Sequence, residues 1–452
     1  MKTKKLILSG LILVLLATSC KDYLEPWPNG NYDSENLWEY QNFVQGMINR
    51  CYDNIDAYSV GNSRRNYNDD EGVYLDGVTD DAVITSSTNV MRRYALNTMT
   101  TSQDPLQTCW DRDYRSISQC NFFLQDRRGY NTRYMIKETY NTQVRTRLQG
   151  EAFALRAFFE WDLLQKFGGK GVNGQMLGFP IVLEPVDVNS VINYPRNTYD
   201  ECVARILADC DSALKYLPLA HRDFLYPSGT DLTYLGGKYW NRFDDTGVWG
   251  IMANMYLTWA SPRFNPGDEV ARWDSAAVNA KAVIDYKHNY DFTAAYSNSG
   301  SIKGVNYADP NSPELVMVTR YNSGNGDLEV QFMPGGYSGK GSVGPTQDLV
   351  DAFGDNAGYP ITASSVYDAA TPYLNRDPRF YATIFYNGST YKQNNTGSTW
   401  YTFNTVTGGT DASGPSTNTR TNYYIKKFCS LGYNLKASSP TRPARAKFLF
   451  RR

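Results

Sequence analysis

The heptapeptide GGYSGKG at Gly335–Gly341 sets a serine, a lysine and four glycines within reach of two catalytic templates, and it fills neither. A serine nucleophile elbow needs GxSxG, and Lys340 stands where the last Gly belongs. A phosphate-cradling P-loop needs GxxxxGK[ST]; Pro334 occupies its first glycine place and Gly341 its Ser/Thr place. Only two histidines exist, His221 and His288, in segments with no partner motif, so Ser-His-Asp triads and HExxH metal sites find no support and both residues read as surface positions. The acidic run NDDEGVYLDGVTDD (Asn68–Asp81) lacks the DxDxDG order of an EF-hand and reads as a solvated loop. A paired-carboxylate glycosidase needs only two Asp or Glu, so counting leaves it open.

Binding chemistry is better represented. Tyrosine outnumbers phenylalanine 35 to 20, and a tyrosine offers a flat apolar face together with a hydroxyl that stays hydrogen-bonded while wet. Two loop regions combine such faces with polar donors: NVMRRYALN (Asn89–Asn97), and the stretch holding TRYNSGNG and PGGYSG. The first puts the forked donor Arg93 beside Tyr94; the second offers Tyr321 and Tyr337, an arrangement suited to sugar hydroxyls and C–H faces. A second reading stands beside it, in which these rings pack locally and Arg93 is solvated. With 45 Lys+Arg against 46 Asp+Glu, the net charge of −1 gives no electrostatic footprint for nucleic acid or for an anionic membrane surface.

Cys20 is the remaining chemical landmark. Lys2, Lys4 and Lys5 precede an apolar run of 12 residues, Leu6–Ala17. At ~1.5 Å per residue that run spans about 18 Å as a helix, short of a ~30 Å hydrocarbon core, so it reads as a secretory signal. Ala17, Thr18 and Ser19 lead straight into Cys20, an arrangement that resembles a bacterial lipobox, in which Cys20 becomes an acylated N-terminus; an ordinary signal with a chance cysteine is the other reading. Lys21 and Asp22 resemble the surface-export signal of such lipoproteins, inner-leaflet placement being the alternative. The six other cysteines read mainly as small buried residues. On helices Cys202 and Cys210 would stand about 12 Å apart, and Cys109 and Cys120 about 16 Å, against the ~7 Å limit of a disulfide. No CxxC occurs to hold zinc.

The elements that must carry these residues are mostly helices. After a Pro-punctuated tether at residues 21–34, helical spacing runs through ENLWEYQNFVQGMINRCYDNI and QTCWDRDYRSISQCNFFLQ, whose Trp38, Trp110 and Tyr114 read as core. An irregular stretch from about Ser59 to Pro105 separates them. In LQGEAFALRAFFEWDLLQKFGG the residues Leu148, Ala152, Leu155, Phe159 and Leu163 stack on one face, and Gly168 and Gly169 stop the helix. TYDECVARILADCDSALKYLP opens with Thr198 and Glu201 in capping-box register and buries Cys202, Ile206, Cys210, Ala213 or Leu214, and Leu217. GVWGIMANMYLTWAS and WDSAAVNAKAVIDY follow, the latter with Ala277, Ala280 and Ile284 as its predicted apolar stripe. Small residues at repeated helical positions suit paired helices, while loops of about 30 residues break the 34-residue period of tandem tetratricopeptide repeats. From Asn289 to Gly344 the texture becomes Tyr, Asn, Ser and Gly with one strand-like run, ELVMVTRY.

The lipobox, the helix GEAFALRAFFEWDLLQKFGG, PTQDLVDAF (Pro345–Phe353), DPRF (Asp377–Phe380) and YYIKKF (Tyr423–Phe428), in that order, give the chain a resemblance to the SusD/RagB family of outer-membrane nutrient-binding lipoproteins. The resemblance implies a mainly α fold of interrupted tetratricopeptide-like hairpins with a loop-rich lobe containing a few short strands. The expected organisation is a signal peptide at 1–19, an anchor and tether at 20–34, a helical core at 35–288 and the loop-rich lobe at 289–452. It also implies a non-catalytic protein, without cofactor or metal, lipid-anchored at Cys20 on the cell-surface side of the outer membrane. Its ligand would be an oligosaccharide, or a peptide as in some members, and its partner a TonB-dependent β-barrel transporter. A glycoside hydrolase and a plain helical scaffold are the other classes considered. Binding residues are expected in loops comparable to those of Arg93, Tyr94, Tyr321 and Tyr337. Family chains usually continue past a segment like KFLFRR into another helix pair, so the lobe is expected to be truncated at Arg452.

Overall fold

The computed structural model describes residues 36–56, 75–104, 106–185, 193–218, 226–285, 315–322, 327–337, 339–392, 399–427, 429 and 445–451. Cys20 with the expected signal peptide and tether, His221, His288, Ser338 and the first half of the Asn68–Asp81 run lie outside them.

Among the described residues six long helices dominate: α1 (Gln41–Asp56), α2 (Gln107–Leu124), α3 (Glu138–Phe167), α4 (Tyr199–Tyr216), α5 (Asp245–Ala260) and α6 (Val270–Asp285). Each packs on the next, α1 on α2, α2 on α3, and so on to α6, giving the mainly helical, hairpin-built architecture expected from the sequence. The predicted stripe of α3 is buried throughout, with Leu148, Ala152, Leu155, Phe159 and Leu163 inside, each large apolar side chain contributing about 1.5–3 kcal/mol relative to exposure. α3 nevertheless starts ten residues before that stripe. The Asn141 side-chain oxygen accepts from the Tyr134 and Met135 backbone N–H groups (2.8 and 3.3 Å) and pins the incoming chain to the first turn. The capping box of α4 forms on both sides: Glu201 N–H donates to Thr198 Oγ1 at 3.2 Å, and Thr198 N–H to Glu201 Oε2 at 2.8 Å. Cys202, Ile206, Cys210, Ala213 and Leu217 are inside, with Leu214 half-buried. The described cysteines outside the leader are free; five are buried, Cys51 and Cys120 lie Sγ to Sγ at 3.9 Å between α1 and α2, and Cys429 is half-buried.

The stripe predicted for α6 is corrected. Ala276 and Val283 are its buried apolar residues, whereas Ala277 and Ala280 are exposed and Ile284 is 53% exposed. Arg272 sets the helix's rotation: its guanidinium lies 3.9 Å from the Trp259 ring centroid and donates to the Phe264 carbonyl at 2.9 Å. With Arg272 turned toward α5, positions 276 and 283 follow on the same face, and the predicted stripe comes out about 100° away.

The later chain supplies short antiparallel pairs. β1 (Ala82–Ile84) meets β3 (Val343–Pro345), β2 (Leu315–Asn322) meets β8 (Arg445–Arg451), β4 (Ile384–Phe385) meets β7 (Tyr424–Ile425), and β5 (Thr390–Lys392) meets β6 (Thr399–Thr402). The β1–β3 pair brings the insert between α1 and α2 against the chain more than 250 residues later, with Ala82 opposite Pro345 and Ile84 opposite Val343. Among the described residues no helix is long and apolar enough to cross a membrane.

Candidate functional site

An open cavity of about 730 Å³ lies where three remote segments converge: the end of β1 (Thr85–Ser87), the turn into β3 (Lys340 and Ser342), and the loop Ser413–Arg420. Each segment is fixed by backbone bonds. Thr85 continues the β1–β3 ladder, its N–H donating to the Ser342 carbonyl at 2.9 Å and its hydroxyl to the Gly341 carbonyl at 2.5 Å. The Arg420 Nε donates to the Thr85 carbonyl at 2.6 Å and so ties the third segment to the first. Asn418, 3% exposed, holds the loop's curvature by donating to the carbonyls of Thr410 and Ala412 (3.1 and 2.9 Å), while its own oxygen accepts from Gly335 N–H at 3.2 Å.

This convergence accounts for the glycines of GGYSGKG. Gly341 has φ +49°, and a Cβ there would stand 2.8–2.9 Å from the backbone of residues 417–419. A Cβ at Gly339 would overlap the Met333 carbonyl. Gly341 is needed where its segment passes the 417–419 backbone and Gly339 where the turn closes on Met333, requirements unrelated to a nucleophile or a phosphate.

Chemically, the described lining is hydroxyl-rich and cationic. Ser86, Ser87, Ser413, Ser416 and Thr417 supply hydroxyls; Lys340 and Arg420 supply two positive charges, and both are exposed. No Asp, Glu, His, Cys or aromatic residue is among the described lining residues. The loop's own carboxylate, Asp411, is fully buried and turned inward, accepting from Tyr401 OH at 2.6 Å and Asn404 N–H at 2.8 Å. Burial, and then this bond to Asp411, push the Tyr401 phenol up to about 12.

Of the four residues expected from the sequence, Arg93, Tyr94 and Tyr337 are not among the described lining. Tyr337 is 3% exposed, its ring 3.9 Å centroid to centroid from Tyr401 and stacked on Phe403 at 5.9 Å, where it supports the turn beneath the cavity. Tyr94 is half-buried against Ile84 and Met91, and its hydroxyl donates to Asp104 at 2.5 Å; burial first and that bond second raise its pKa. Arg93, half-buried, donates to the Gln103 carbonyl at 3.3 Å. Tyr321 lies in β2, its backbone opposite Ala446. The lining residues outside the GGYSGKG region had a signal that aromatic-centred reading passes over: two hydroxyl runs, TSST at 85–88 and SGPSTNTR at 413–420.

The sequence landmarks serve a different end. Thr346 caps the short helix Gln347–Ala352, accepting from Leu349 N–H at 3.1 Å. Buried Arg376 closes that helix's far end, donating to the carbonyls of Val350, Phe353 (2.8 Å) and Gly354 (3.4 Å). Asp377 caps the next helix, Pro378–Thr383, and Tyr423 OH returns to Gln347 Oε1 at 2.8 Å. PTQDLVDAF, DPRF and YYIKKF thus meet in one apolar cluster of Val350, Phe380, Ile384 and Tyr423.

Comparison with known proteins gives two family matches. Residues 304–451 match a model described as the SusD family, and residues 22–230 match one described as starch-binding, associating with the outer membrane. No curated protein matches the sequence. The fold is similar to that of a SusD-like protein from Bacteroides fragilis, with TM-score 0.65 and 20% identity over 93% of this chain and 74% of that one. A SusD-like carbohydrate binding protein from the same species gives 0.63 at 15% identity over 92% and 72%. A SusD superfamily protein from Bacteroides vulgatus gives 0.53 at 14% identity over 87% and 68%.

Proposed function

The chain belongs to the SusD/RagB family, and from that membership we propose that it is a non-catalytic, outer-membrane surface lipoprotein that binds oligosaccharides and passes them to a TonB-dependent transporter. The observation that carries the binding half of this reading is the open cavity of about 730 Å³, large enough for a few sugar units and lined mostly by hydroxyl-bearing side chains. Support for binding rather than cleavage comes from the described lining, which supplies no carboxylate, imidazole or thiol to act as general acid or base. The model described as starch-binding and associating with the outer membrane supports both a glycan ligand and that location. Cys20 as the lipid attachment point, the division at residues 34 and 288, and the transporter partner belong to the same proposal.

Calorimetry of the purified protein with a panel of oligosaccharides, followed by chromatography of the mixtures, tests it. The expected outcome is saturable binding with the glycan recovered intact, and loss of binding when Ser416→Trp fills the cavity mouth. Release of shorter sugars at an enzyme-like rate would replace this reading with a glycoside hydrolase. Binding of oligopeptides and of no sugar would replace it with a peptide carrier.

A further inference from the structure

The cavity is cationic in a chain that is not. The whole sequence carries a net charge of −1, yet the described lining of the pocket holds Lys340 and Arg420 and no carboxylate. The two cations come from segments 80 residues apart that both line the cavity: Lys340 N–H donates to the Val330 carbonyl at 2.7 Å, and the Arg420 side-chain Nε to the Thr85 carbonyl at 2.6 Å. That last bond occupies one of the five N–H groups of a guanidinium, and among the described residues Arg420 makes no other hydrogen bond or ion pair. The loop that carries Arg420 places its own acid, Asp411, fully out of reach.

A site for neutral sugar gains from aromatic faces offered to the sugar's C–H surface, since ligand pockets are lined predominantly by apolar and aromatic side chains. The described lining offers none and offers charge and hydroxyls instead. From this we propose that the ligand is an acidic oligosaccharide, one whose carboxylate or sulfate groups are received by Arg420 and Lys340 while Ser86, Ser87, Ser416 and Thr417 bond the neighbouring hydroxyls. This rests on the glycan-binding reading above and deepens it. Guanidinium is the donor suited to a planar carboxylate or a sulfate face, and the ammonium of Lys340 acts as a second point charge. Because both cations are exposed, the attraction is screened by salt.

The test compares matched pairs by calorimetry: oligogalacturonates against their carboxyl-reduced neutral counterparts, and sulfated galactan oligosaccharides against the same chains desulfated. One acidic member is expected to bind at least about tenfold more tightly than its neutral partner, the contribution of one charge-assisted hydrogen bond. That preference should shrink as sodium chloride is raised from 20 to roughly 500 mM. The uronate and sulfate arms separate the two sources of negative charge. Lys340→Gln, and Arg420→Lys, which keeps a charge and loses the fork, should each lower the ratio of acidic to neutral affinity severalfold. Equal affinity for acidic and neutral members in the wild-type protein would overturn this inference while leaving glycan binding intact. Absence of binding to every sugar would instead overturn the glycan reading beneath it.

Discussion

Glu151 shows at a single residue what the middle of α3 asks of its neighbours. Its carboxylate is fully buried and paired with Arg147 one turn earlier and with Arg242 at 2.7 Å. Burial alone would raise its pKa; Arg242 and Arg147 outweigh burial and hold it below the ordinary carboxylate range. A carboxyl depressed in the folded state adds stability above its unfolded value of about 4.3, and that stability is lost as the pH falls through the folded value. Glu151→Ala leaves two cations buried without their partner and is expected to cost about 3–5 kcal/mol in urea unfolding at neutral pH. The gap between variant and wild type should narrow below about pH 4; a gap constant down to pH 3 would refute the pairing as its cause. Comparing the two proteins is necessary because Asp113 and Glu160 run the other way, raised first by burial. The i,i+4 spacing of Arg147 with Glu151 is visible in the sequence, but its burial is not, since periodicity assigns charged positions to solvent.

At the scale of elements, the apolar stripes of α3 and α4 and the α4 capping box were legible because each depends on residues within one or two turns. The setting of α6 was not, because two alanine-rich stripes one position apart are equally plausible and Arg272, a charged residue, decides between them through Trp259 and Phe264. Arg376 is a parallel case. It directly precedes the DPRF landmark, and as an arginine it reads as solvent-facing, yet it is 1% exposed and gathers backbone carbonyls from Val350, Phe353, Gly354 and Pro372. The Val350 carbonyl is an orphan acceptor of the last turn of the helix Gln347–Ala352, and those of Phe353 and Gly354 follow directly on its end. Arg376→Ala should therefore lower stability by at least about 2 kcal/mol, since stranded buried acceptors cost about 1–3 kcal/mol each. Arg376→Lys should recover only part of this, because an ammonium cannot fork across four carbonyls. Thermal unfolding reads both variants, and equal melting temperatures for wild type and Arg376→Ala would remove the carbonyl clasp from the account of this lobe.

Across the whole molecule, what the sequence made legible and what it hid divide along contact distance. The ordered landmarks could be recognised because they make the scaffold: three of them pack on one cluster around Phe380. The pocket could not be assembled, since its lining comes from residues near 86, 341 and 417, which meet only through the β1–β3 pairing and the Arg420 bond to Thr85. Which tyrosines are interior was hidden for the same reason: Tyr337, Tyr391 and Tyr424 are buried together in one cluster. The proposed anchor is a separate matter of chain chemistry. Among the described residues the apolar core of α1–α5 is assembled from Leu37 to Met255. Acyl chains on Cys20 would contribute ~0.8 kcal/mol per buried CH₂, enough with more than one chain for lasting attachment. Cys20→Ser is thus expected to move the protein from the membrane fraction to the soluble one, with an unchanged circular dichroism melt and unchanged ligand affinity. The fractionation is done in cells lacking the proposed transporter, because retention through such a partner would mimic an anchor. A Cys20→Ser protein that still sediments with membranes in such cells would show that attachment does not run through this residue.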